Sequence, residues 1–164
     1  MIKFFLSLLF FVAAVTHGSA YAHQVNEHKN MLHSNMKREL TLCALKYQLE
    51  KIYDHKSSMR YYVGVVNDKL VDPDDWVFRN LKLEFKNIFR ISESIVNTGG
   101  VYNKKDKSKG VAILVRDFKA LKEGRYVLHT RVRLGGKSGK NAEMTVEMIS
   151  GKSHVIQYKI TGLL

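Results

Sequence analysis

Residues 125–161, RYVLHTRVRLGGKSGKNAEMTVEMISGKSHVIQYKIT, carry the clearest alternation in this chain. Successive side chains of a strand point to opposite faces, so a half-buried strand alternates apolar and polar residues. Tyr126, Leu128, Thr130, Val132 and Leu134 fall on one face of a first strand, and Arg125, Val127, His129, Arg131 and Arg133 on the other. After the glycines, Ala142, Met144, Val146 and Met148 alternate with Glu143, Thr145 and Glu147. A loop over 135–141 predicts Val132 opposite Met144 and Leu128 opposite Met148, with Arg133 facing Glu143 and His129 facing Glu147. Such opposite-charge pairs stabilise a hairpin by about 0.2–1 kcal/mol each. A one-residue slip would exchange core for solvent, which ties the sorting of faces to the pattern. Ser150-Gly151-Lys152 then predicts a second turn, with Gly151 supplying positive φ, and a third strand presenting Ile156, Tyr158 and Ile160 to the core.

Upstream, the period changes from two to that of a helix. Over 25–53, Met36, Leu40, Cys43 and Tyr47 form one row, and Leu42, Leu45, Leu49 and Ile52 a second beside it. The two rows make a broad apolar face suited to lying across a sheet, while HQVNEHKNMLHSN forms a polar extension at the start. Residues 61–66 read as a strand. Asp72 before Pro73 predicts a helix N-terminus, with Asp74 and Asp75 in the first turn, where the dipole favours negative charge. Trp76, Val77, Leu81 and Phe85 form its buried face. Residues 89–96 read as another strand, 97–110 as a long lysine-bearing loop, and 111–118 as a central strand, since it is apolar on both faces. No repeat or linker interrupts the order. It predicts a single α+β domain over 23–164: a curved antiparallel sheet of about five or six strands against one long and one short helix. In outline this order resembles the NTF2-like and cystatin-like α+β families, a likeness of fold that implies no activity.

Residues 1–22 have the three parts of a secretory signal peptide: Lys3, an apolar run over 4–15, and Ala20-Tyr21-Ala22 at the cleavage site. The run is shorter than the ~20 residues a membrane-spanning helix needs. Cleavage after Ala22 predicts an exported chain, periplasmic or secreted, and strongly basic, the whole sequence carrying +12. Cys43 is the only cysteine, so no internal disulfide forms and packing alone holds the chain together. Its apolar setting, LTLCALKY, reads as a small buried hydrophobe rather than a reactive thiol.

The functional expectation rests on charge. Arg125, Arg131 and Arg133 share one strand face, with Lys137 and Lys140 in the adjoining turn, and Lys104, Lys105, Lys107 and Lys109 crowd the long loop. Such a field draws anionic partners, here an anionic glycan, a phosphorylated lipid head group or an acidic protein. The opposing reading is that Glu143 and Glu147 already pair with the strand and that the loop lysines only aid solubility. Nucleic acid ranks low, because stacking aromatics are needed among the charges and Tyr102 is the only one in the loop.

Cleavage after Ala22 would also make His23 the amino terminus, whose amine and imidazole suit copper, with His28 and His33 as further nitrogen donors. In that one residue the chain resembles the histidine brace of copper-binding periplasmic proteins and copper monooxygenases. Asp72, Asp74 and Asp75 are accounted for by capping, and no motif demands a cofactor. Asp117, His129, Glu147 and His154 are the titratable strand residues open to acid–base work in a pocketed carrier or enzyme. Of these, His154 and Asp117 fall where a cavity would lie. Without a Ser–His–Asp signature, phosphate loop or zinc spacing, a binding module is the leading expectation.

Overall fold

The computed structural model describes residues 33–54, 57–135 and 138–163, with the backbone alone at Asp117. The proposed signal segment, His23, His28 and Lys137 lie outside the described residues. The body of the protein is the unit Arg38–Leu164.

Helix α1 occupies 33–52. It is followed by strands β1 (Arg60–Val66) and β2 (Leu70–Val71), helix α2 (Asp75–Glu84) and strand β3 (Ile88–Arg90). A 3-10 turn (Ile91–Glu93) leads into β4 (Ser94–Asn97) and β5 (Gly100–Asn103). Four long strands close the chain: β6 (Gly110–Ala120), β7 (Arg125–Gly135), β8 (Ser138–Ile149) and β9 (Lys152–Leu163). The class is α+β. The main sheet has seven strands in the order β2-β1-β6-β7-β8-β9, with β3 beside the first half of β1. It is mixed rather than antiparallel, because β1 runs parallel to both β3 and β6. Parallel neighbours need a long crossover. Here the crossover is everything between β1 and β6, including α2 and the β4–β5 hairpin.

The sheet is covered on both faces around β1 and β6. On one face, α1 buries Leu40, Thr41, Ala44, Leu45, Gln48 and Leu49. That stripe runs between the two rows expected from the sequence, and it takes in two polar residues. Gln48 is fully buried, and its Nε2 donates to Thr130 Oγ1 at 2.7 Å, which is why an amide is tolerated there. Leu128, Thr130 and Val132 of β7 and Ala142, Met144 and Val146 of β8 are buried, as the alternation requires.

On the outer face, Tyr62, Ala112 and Leu114 pack under Ile91 and Val101, so the 3-10 turn and the β4–β5 hairpin form a second lid. Part of the expected 97–110 loop is therefore strand, and the expected strand over 89–96 is broken by the 3-10 turn. Close approach is built in at two glycines. A Cβ on Gly64 would lie 2.9 Å from Ile91, and one on Gly110 would lie 2.5 Å from the Tyr62 ring.

Local expectations shift in three places. The α2 N-cap is Asp74, whose carboxylate accepts from the Trp76 N–H at 2.9 Å. Asp72 instead accepts from the backbone and hydroxyl of Ser92 at 2.8 and 2.7 Å, fastening the 3-10 turn. The helix consequently buries Val77, Phe78 and Leu81, with Trp76 only half-buried. Second, β7 and β8 extend to Gly135 and from Ser138, so the predicted seven-residue loop is replaced by a connection of residues 136 and 137. Leu128 therefore pairs with Met144, His129 with Glu143 and Arg125 with Glu147, four residues from the predicted register. Four is even, so the side chains from Arg125 to Arg133 keep their faces; Leu134, expected on the core face, falls at a bulge between Arg133 and Gly135 and is 52% exposed.

Third, β9 is bulged. Thr145 pairs with Gln157 but Val146 with Val155, which leaves Ile156 unpaired in the ladder. Ile156 and Ile160, expected in the core, are each 50% exposed, and Tyr158 is half-buried against Tyr47 of α1. Ser150 and Gly151 both have positive φ, at 51° and 78°, as a two-residue type I′ turn demands. Lys152 is the first residue of β9 rather than part of the turn.

Candidate anion-binding site

Alternation along β6 explains how the site arises. Ala112, Leu114 and Arg116 share the outer face, the first two beneath the hairpin and the third beyond it. On β7, Arg116 stands opposite His129, and Leu114 opposite Arg131. On β8, Asn141 stands opposite Arg131. At its far end β9 carries a second bulge, at Thr161, between the pairs formed by Gly162 and Ile160. These residues line a cleft of about 280 Å³: Arg116, His129, Arg131, Asn141 and Thr161, with Thr130 and Ala142 beside them.

The two guanidinium groups are held differently. Arg131 Nε donates to Asn141 Oδ1 at 2.8 Å, which fixes the plane of the fork. Arg116 Nε is buried with no hydrogen-bond partner among the described residues. A buried donor left unpaired costs about 1–3 kcal/mol. Among the described residues no carboxylate lines the cleft. Glu143 is on the same face, with His129 and Lys159 as its cross-strand neighbours. The cleft thus holds two forked cations, an imidazole, an amide and a hydroxyl. It is equipped to hold an oxyanion by charge-assisted hydrogen bonds.

The structure separates the basic residues expected from the sequence. Arg131 is in the cleft. Arg133 donates from Nη2 to the Asn97 carbonyl at 2.8 Å and so anchors the hairpin. Arg125 pairs with Glu147 at 3.0 Å, further along the same strand. Lys140 is in β8 rather than in a turn, paired with Val132 on the α1 face, and its Nζ is 5.9 Å from the Tyr158 ring. Lys104, Lys105, Lys107 and Lys109 follow β5, near the start of β6. Gly110 and Arg116 are six residues apart on β6, about 20 Å along an extended strand. The loop lysines and the arginine cleft are therefore distinct places. Within the loop, Asp106 accepts from Ser108 and pairs with Arg60 at 2.8 Å. The Ser108 hydroxyl and N–H, and then Arg60, pull its carboxyl down to about 2.

Arg116 was not among the expected residues, because VAILV directs attention to apolar burial on both faces. Its signal was the same alternation, carried one step past Leu114. His154, expected on the core parity, is exposed and stands opposite Glu147, since the Ile156 bulge reverses the faces of β9 on its two sides. The side chain of Asp117 lies outside the described residues.

A second cleft, of about 480 Å³, opens between α1 and the start of β9, lined by Glu39, Leu42, Cys43, Lys46, Tyr47, Glu50 and residues 152–155. Lys46 is engaged by Glu84 at 2.6 Å. The Cys43 thiol donates to the Ser153 carbonyl at 3.6 Å, and burial pushes its pKa up, the opposite of what a reactive thiol needs. Among the described residues no group of three or more His, Cys, Asp and Glu is placed to hold a metal ion. No described helix is long and apolar enough to cross a membrane. No family model, curated protein or solved structure matches the chain.

Proposed function

We propose that the protein is an exported binding module that takes an anionic partner on the outer face of its sheet. One observation carries this reading: Arg116 and Arg131 line one cleft, and neither has an acidic partner among the described residues. Exposed cations normally find carboxylates, as Arg60, Arg90 and Arg125 do here with Asp106, Asp75 and Glu147. Two guanidinium groups left with only an amide between them are organised for a ligand rather than for the fold. The positive charge of the whole chain adds long-range attraction that speeds encounter and weakens with salt.

The test is retention of the purified chain on heparin and on vesicles containing anionic lipid, compared with neutral vesicles. The reading predicts retention on the anionic supports that is lost as salt rises. Absence of salt-sensitive retention on both would remove it.

A further inference from the structure

We infer that the cleft between β6, β7 and β8 is a receptor for one terminal phosphate monoester, with Arg116 and Arg131 as its two forks. This deepens the reading above and rests on it. The number of charges decides between anions. A phosphate monoester carries nearly two negative charges at neutral pH and three strong acceptor oxygens. Two guanidinium groups match that charge, with no acidic residue among the described residues that line the cleft. A phosphodiester or a carboxylate brings one charge and two acceptor oxygens, which leaves one arginine uncompensated.

The donors match in kind as well. Arg131 is spent at Nε on Asn141, so its two terminal nitrogens are left for a two-pronged contact. Arg116 makes no hydrogen bond or ion pair among the described residues, and its Nε is buried. In a folded protein an unsatisfied buried donor calls for an explanation, and an oxyanion held in the cleft would supply one. The Asn141 amide, the Thr161 hydroxyl and the His129 ring are further polar groups at the rim. A cleft of about 280 Å³ is at the small end for ligand sites. That volume suits a head group. A lipid head group and a soluble phosphate ester both present this monoester, and the recognition chemistry is the same.

The experiment is calorimetric titration of the full chain at low ionic strength with inorganic phosphate, methyl phosphate and dimethyl phosphate. Phosphate and methyl phosphate are expected to bind the same site in competition, with dimethyl phosphate roughly tenfold weaker or worse. Arg116→Lys keeps the charge and removes the fork. It is expected to weaken phosphate at least about tenfold while leaving the salt needed for elution from heparin nearly unchanged. Arg131→Lys is the second variant, expected to act alike, and thermal melting checks that each is folded. Equal binding of methyl and dimethyl phosphate, or Lys variants that bind phosphate as the parent does, would overturn this inference and leave a general anionic surface standing. Retention on heparin without any phosphate binding would do the same. Failure of the parent chain to bind either would remove both. Vesicles identify the source. Preference for phosphatidic acid over phosphatidylglycerol, competed by phosphate, assigns a lipid head group; phosphate binding without that preference assigns a soluble monoester.

Discussion

Replacing Gly110 with alanine tests how the outer lid is fastened. The added Cβ would lie 2.5 Å from Cε2 of Tyr62 and 2.8 Å from the carbonyl oxygen of Arg60. Carbon atoms in contact prefer about 3.5–4.0 Å, so something must move. The Arg60 oxygen belongs to β1, the parallel neighbour of β6, and cannot retreat without breaking the ladder. The Tyr62 ring is fully buried, and its hydroxyl accepts from Asn103 Nδ2 at 3.0 Å, so swinging it away opens the cluster with Ile91 and Val101. Overpacking of this kind costs about 1–3 kcal/mol, and with a backbone atom in the way the upper half of that range applies. For a unit of this size that lowers the melting midpoint by roughly 5–10 °C. Thermal unfolding followed by circular dichroism reads it directly. Gly162→Ala is the control, since the nearest atom to its Cβ would be 3.8 Å away, and its midpoint is expected to stay near the parent's. A Gly110→Ala midpoint within about 1 °C of the parent would refute the packing of the hairpin on this face.

Other consequences follow from the same geometry. Leu128→Ala, which empties a fully buried site between β7 and α1, is expected to cost about 2–5 kcal/mol in denaturant unfolding, against about 0.5 or less for exposed His129→Ala. Similar losses for the two would contradict the sorting of faces. Cys43, its thiol pKa raised by burial, is expected to react slowly with Ellman's reagent at neutral pH until the chain is unfolded; rapid labelling of the native protein would count against that environment. Asp106 has its folded pKa depressed to about 2, so its contribution to stability is present above about pH 4 and lost as pH falls toward 2. The melting gap between the parent and Asp106→Asn is therefore expected to narrow over that window, and a gap constant with pH would contradict the assignment.

What the sequence revealed follows from what each pattern measures. Alternation reports faces, and Leu128, Thr130, Val132, Ala142, Met144 and Val146 all sort as it requires. It does not report register: any even slip preserves faces, and the glycines at 135–136 suited a long loop as well as strands that run on to Gly135 and resume at Ser138. Bulges defeat it altogether, since one extra residue at Ile156 puts Ser153 and Val155 in step with Tyr158 and turns His154 to the other side. Asp72 before Pro73 read as the cap of α2, whereas Asp74 caps it. Asp72 is engaged instead by Ser92, 20 positions away, a contact that no local pattern shows. The cleft was half legible. Arg131 stood out in an alternating strand, whereas Arg116 became visible as its neighbour only once β6 was paired with β7. The loop lysines looked like part of the same field because sequence carries no distance across a sheet.

The most direct test compares two doubly neutralised chains that differ from the parent by the same charge. Arg116→Gln with Arg131→Gln removes both cations of the cleft, and Lys104→Gln with Lys105→Gln removes two from the loop beyond the far end of β6. The quantity to measure is the salt concentration that elutes each from anionic vesicles or heparin. If the cleft is the receptor, the arginine pair elutes at clearly lower salt than the parent and the lysine pair stays close to it. Equal shifts in the two would mean that only overall charge is being read, and the assignment of the site would be wrong.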